Sequence, residues 1–185
     1  MILGVSGDIG SFSEEAALKY LQINSYSFEL NYLIDPESVL ASLENKSIQY
    51  GIFPVVNRKG GLVKTAFEAM GKYNFQYINE VVLEINHNLI TKHKMCLSEI
   101  KTIVSHSQAF AQCQKYLKSN FSNINFVDWK NTALAARHLS EGYFDLNTAI
   151  IAHKSTAKIY NLNVLTENIQ DESPNLTSFI VVSNL

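Results

Sequence analysis

The chain has 185 residues, 46% hydrophobic and 17% charged, a balance that excludes disorder and supplies a core for one domain or two small lobes. Its net charge of -2 and pI near 6.2 exclude a basic surface for nucleic acid or an anionic membrane. Cys96 and Cys113 make neither a CxxC pair nor a disulfide framework, the histidines at 87, 93, 106, 138 and 153 make no metal-ligand pattern, and no apolar run reaches membrane-spanning length, so a soluble, cytoplasmic protein without metal or cofactor is expected.

The opening Met1-Ile2-Leu3-Gly4-Val5 has no basic region and reads as a first strand over 2–6, not as a signal peptide. Further strands are predicted at 26–33, 48–54, 81–90, 102–105, 124–127, 148–152, 163–167 and 177–182. Ala16, Ala17, Tyr20 and Leu21 share one face of a helix predicted over 13–22. Phe110, Cys113 and Leu117 do the same over 107–118, where Cys113 reads as a small core residue. This alternation predicts an α/β fold with largely parallel sheets.

The β-rich stretch 75–90 is too long for one compact strand and is read as a crossing between two lobes, with 157–165 crossing back. The first lobe is expected to span 1–75 plus 163–185, and the second 80–160. Ser11-x-x-Glu14 and Ser105-x-x-Gln108 each follow a predicted strand and fit a capping box. Free amides and the positive dipole end at two such helix starts suit a ligand with two anionic groups, although every helix needs a cap in any case.

Five segments, in order, carry a resemblance. Gly7-Asp8-Ile9-Gly10-Ser11-Phe12-Ser13 opens the chain, and Tyr50-Gly51-Ile52-Phe53-Pro54-Val55-Val56-Asn57-Arg58-Lys59-Gly60-Gly61 forms a loop motif. Glu80 through Leu89, with Ile85 and His87, is the third; Ser105-His106-Ser107-Gln108-Ala109, running on to Gln112-Cys113, is the fourth. The last is Ile169-Gln170-Asp171, then Asn175-Leu176-Thr177-Ser178-Phe179. Together they resemble the prephenate dehydratase family, whose closing motif reads Asn-x-Thr-Arg-Phe.

The resemblance implies two α/β lobes like a bilobed type II periplasmic binding protein, with a ligand cleft between them. It implies loss of water and carbon dioxide from prephenate, a dianion, to give phenylpyruvate in phenylalanine biosynthesis. Thr177 is then the catalytic hydroxyl, and Ser11, Asn57, Arg58, Ser105, Gln108, Ser178 and Phe179 are the expected substrate-binding residues. Many family members continue into a regulatory ACT domain; none is expected here. The small dianion is the expected partner, and a homo-oligomer is compatible with the sequence.

Besides Asp8, Ser11 and Ser107, which replace Pro, Thr and Pro, four polar positions of the family pattern have changed: Val56 and Gly60 replace acids, Arg58 replaces a serine, and Ser178 replaces the arginine. Losing one charged hydrogen bond costs about 1.5–3 kcal/mol. Arg58 and Lys59 shift the loop toward positive charge, so either is a candidate to meet the carboxylate, although an Arg-Lys pair before two glycines also suits an exposed turn. His87 reads as structural and His106 as an orienting residue, Gly7 and Gly10 as sites of close backbone approach, and Asp171 and Asn175 as shaping the final turn. Two alternatives stand beside the dehydratase: a prephenate decarboxylase that does not aromatise its product, and a non-catalytic module binding an anionic metabolite. Arogenate is the alternative substrate.

Overall fold

A computed structural model describes every residue, Met1–Leu185. The chain forms two compact units, Met1–Glu84 with Leu176–Leu185, and Ile85–Asn175.

The first unit holds β1 (Ile2–Ser6), α1 (Phe12–Asn24), β2 (Glu29–Leu33), α2 (Pro36–Glu44), β3 (Tyr50–Asn57), β4 (Gly61–Leu62), α3 (Lys64–Met70) and β5 (Gln76–Glu84). The last strand of the chain, β11 (Leu176–Ser183), returns to it between β3 and β5. β1 runs parallel to β2 and β3, whereas β11 runs antiparallel to both neighbours. Val39, Leu40 and Leu43 of α2 and Ala66 and Ala69 of α3 bury one sheet face, with Phe53, Ile180 and Val182 beneath them. α1 packs against β1, β3 and β5 through Ala16, Ala17, Tyr20 and Leu21. None of its residues joins the α2–α3 cluster, so α1 covers the other face.

The start of α1 follows from its sequence. Ser11 Oγ accepts from the Glu14 amide at 3.2 Å, while Glu14 Oε2 accepts from the Gly10 amide at 2.6 Å, one residue earlier than a capping box requires. Glu14 Oε1 also accepts from the Tyr32 hydroxyl. Gly7, at φ +147°, lies so close to the cap that a Cβ there would sit 2.7 Å from Ser11 Oγ.

The second unit holds β6 (Asn88–Thr91), β7 (Thr102–Ser105), α4 (Ser107–Gln112), α5 (Gln114–Asn120), β8 (Asn125–Asp128), α6 (Thr132–Glu141), β9 (Thr148–Ala152), α7 (Lys154–Ile159) and β10 (Asn163–Thr166). The strand order is β10-β6-β9-β7-β8. Strand pleating splits neighbouring residues between two cores. Leu89, Ile103 and Ile151 face α4 and α5, while Ile90, Val104 and Ile150 face α6 and α7. No helix of the chain is long and apolar enough to cross a membrane.

Three expectations are corrected by these elements. The sheets are mixed rather than largely parallel, because β11 and β6 each run against both of their strand neighbours. The stretch 75–90 divides into β5 and β6 at Ile85–His87, and the return falls at Asn175–Leu176 instead of 157–165. The reason is pairing: β10 closes antiparallel on β6 within the second unit, which keeps 163–175 there. The single helix expected over 107–118 breaks at Cys113. Asp171 Oδ1 accepts from the Lys115 amide at 2.9 Å, and the Asp171 amide donates to the Gln112 carbonyl at 2.7 Å, replacing bonds a continuous helix would make internally.

Candidate active site

In the first unit, Asn57 ends β3 directly opposite Thr177 of β11. Both side chains are buried. Asn57 Oδ1 accepts from the Lys59 amide at 3.0 Å and the Gly60 amide at 2.7 Å. Those backbone donors determine which way the amide faces, so Nδ2 points to Thr177 and donates to its Oγ1 at 2.8 Å and to the Leu176 carbonyl at 3.3 Å. With Thr177 Oγ1 accepting, the hydroxyl hydrogen is left to donate. The Arg58 amide donates to the Leu176 carbonyl at 2.8 Å, which binds the loop to the start of β11 and leaves the Arg58 side chain exposed.

Asn57, an expected substrate-binding residue, holds the loop through its side-chain oxygen and orients Thr177 through its nitrogen. Ser178 pairs with Val56 and Val82 and shares a sheet face with Ile180 and Val182, opposite the face that carries Thr177. Phe179 is 1% exposed and is a core residue, so its ring is not offered to a ligand. Ser11 caps α1 and is partly exposed.

In the second unit, Ser105 is fully buried, and its hydroxyl donates to the Ile151 carbonyl at 2.7 Å. It is neither the cap of α4 nor a free ligand group. The cap is His106, whose Nδ1 accepts from the Gln108 amide at 3.3 Å. The Gln108 side chain is exposed. A single cap one residue later replaces the expected capping box, because Ser105 still belongs to β7 and its hydroxyl bonds within the sheet.

A buried polar junction in the same unit centres on Gln112, a residue that the sequence reading left unassigned. Its Oε1 accepts from Asn175 Nδ2 at 2.5 Å and meets His87 Nε2 at 3.0 Å, and its carbonyl accepts from Asp171. Since Oε1 is the acceptor, the His87 hydrogen sits on Nε2. Gln170 Oε1 accepts from the His87 amide at 3.0 Å, and the Asn175 carbonyl accepts from the Ile85 amide at 2.7 Å. Three of the sequence motifs thus meet at one amide. The available signal was a glutamine in line with the apolar face of its helix.

Burial pushes the His87 imidazole down to about 4, with His153 acting in the same direction and the Gln112 hydrogen bond opposing. The folded value lies below the unfolded one near 6.5, so the unfolded chain binds the extra proton between them. This contribution to stability is complete above about pH 6.5 and is lost as pH falls toward 4, amounting to about 3 kcal/mol. Urea unfolding from pH 7 to 4 should show that slope, and His87→Gln should flatten it; an unchanged slope in the variant would remove His87 as its source.

No group of three or more His, Cys, Asp or Glu side chains is placed to hold a metal ion. The family model of prephenate dehydratase matches residues 3–185. A bifunctional chorismate mutase/prephenate dehydratase of Buchnera aphidicola subsp. Acyrthosiphon pisum is 34% identical over 182 residues, covering 96% of this chain and 46% of that protein. The chain thus spans about half the length of that relative. The crystal structure of a prephenate dehydratase from Arthrobacter aurescens, in complex with L-Phe, superposes with a TM-score of 0.87 at 26% identity, covering all of this chain and 60% of that one. A putative methionine-binding lipoprotein of Bacillus subtilis shares the fold alone, at a TM-score of 0.53 and 14% identity, over 99% of this chain and 82% of its own.

Proposed function

The chain belongs to the prephenate dehydratase family, and we propose that it converts prephenate to phenylpyruvate, water and carbon dioxide in the cytoplasm. The observation that carries this reading is the hydrogen bond from Asn57 to Thr177, which turns the threonine hydroxyl into an oriented donor. Prephenate needs little more. Its ring C–O bond breaks as the hydroxyl takes a proton and leaves as water. The bond to the ring carboxylate breaks with it, carbon dioxide departs, and the released electron pair completes the aromatic ring. A donor placed at the departing oxygen stabilises the charge that develops there. Thr177 is the group assigned to that position.

Arg58 is the proposed carboxylate-binding cation. It is exposed and follows Asn57 directly, and its amide is tied to Leu176, next to Thr177. The position that carries arginine in the family, Ser178, lies on the sheet face opposite Thr177. Arg58→Ala should therefore raise KM for prephenate about tenfold with a smaller change in kcat, as loss of a charge-assisted contact requires. Steady-state kinetics on the purified variant test this. An unchanged KM would assign the carboxylate to another group.

A further inference from the structure

In the second unit, α4, α5 and the edge strand β8 border an open cavity of about 460 Å³ that plays no part in the chemistry above. Its shape follows from the helix break at Cys113. α4 carries Phe110 against Phe126 of β8, ring centroids 5.5 Å apart at 77°. α5 supplies the nearly buried Leu117, and Phe121 follows at the end of that helix. Three polar residues line it, all exposed: Ser107 at the start of α4, and Gln114 and Lys118, one turn apart on α5. Lys118 makes no salt bridge, and no acidic residue lines the cavity. Phe126 is 46% exposed, which leaves much of a large apolar ring open to solvent at the cavity.

The volume falls within the range of small-molecule sites, and an apolar interior with a few polar groups is their usual chemistry. A ring entering beside Phe110 and Phe126 would extend their edge-to-face arrangement. A carboxylate three or four bonds away would meet Lys118 and the Gln114 amide. An ammonium group would find no anion. We propose that this cavity is a binding site for an aryl monocarboxylate, selective against the corresponding zwitterionic amino acid. Charge complementarity with Lys118 argues for this occupant over a wholly apolar one.

The probe is 3-phenylpropionate, titrated into the ¹⁵N-labelled full chain and followed by amide shifts. The expected result is saturable shifts in residues 107–126, with L-phenylalanine binding there at least about fivefold more weakly. Phe126→Ala should weaken binding about tenfold, and Lys118→Ala about threefold. Both positions are at least partly exposed, so both variants should fold, and neither belongs to the Asn57–Thr177 pair. Shifts confined to residues around Thr177 would overturn the site while leaving the dehydratase reading intact. The same follows from equal affinity for the two ligands. Concentration-dependent self-association abolished by Phe126→Ala, with no ligand shifts, would make the face a contact between copies and overturn the proposal.

Discussion

Thr177→Val should lower kcat for prephenate by at least about 100-fold, the usual scale for a positioned proton donor, with a much smaller change in KM. Valine keeps the shape of threonine in β11 and removes the one hydroxyl that Asn57 Nδ2 orients. Thr177→Ser restores a hydroxyl at the same position and should recover most of the turnover. That pairing of variants separates chemistry from folding. The variant removes the 2.8 Å hydrogen bond from Asn57 Nδ2, so Thr177→Val should also cost about 1–2 kcal/mol of stability. Urea unfolding measures that cost independently, and a kcat loss shared equally by the serine variant would count against the hydroxyl.

Gln112→Leu should be among the most destabilising single changes in the second unit, at about 2–4 kcal/mol. The side chain is 5% exposed and holds two other buried polar residues, His87 and Asn175, through one oxygen. Leucine fills a similar volume but leaves the His87 Nε2 hydrogen without its acceptor and costs Asn175 Nδ2 its shorter contact. Asn175 retains its 3.3 Å contact with the Ile85 carbonyl, so the loss is partial at that residue. Thermal or urea unfolding at pH 7 reads the effect directly. A change below about 0.5 kcal/mol would show that the junction is dispensable to folding.

Local determinants made much of this structure legible in the sequence. α1 begins at its cap because Ser11 and Glu14 lie within a single turn, and its buried stripe of Ala16, Ala17, Tyr20 and Leu21 follows the helical period. β9 was visible as a short apolar run, and it is buried along its whole length. What was hidden depends on distant partners. The break at Cys113 is set by Asp171, and the lobe assignment of 163–175 by pairing between β10 and β6. Neither leaves a local signature. His106 took the capping role from Ser105 because the strand extends one residue further and buries the serine hydroxyl against Ile151.

The candidate site shows the same division. The motif around Thr177 pointed to the residue, and the structure shows how its hydroxyl is held. Two amides of the Arg58–Gly60 loop fix the Asn57 side chain, and that side chain fixes the hydroxyl. Phe179, from the same motif, proved to be core, and Ser178 faces away from Thr177. Alternation along a strand predicts that opposition in principle. It was obscured because a motif presents its residues as a block.

The most direct test is incubation of the purified chain with prephenate, followed by assay for phenylpyruvate and carbon dioxide in parallel with Thr177→Val. The natural chain should form both products in equal amounts, and the variant at least about 100-fold less per unit time. Carbon dioxide released without an aromatic product would place the chain among decarboxylases. Prephenate recovered unchanged from the natural chain would contradict the dehydratase assignment outright.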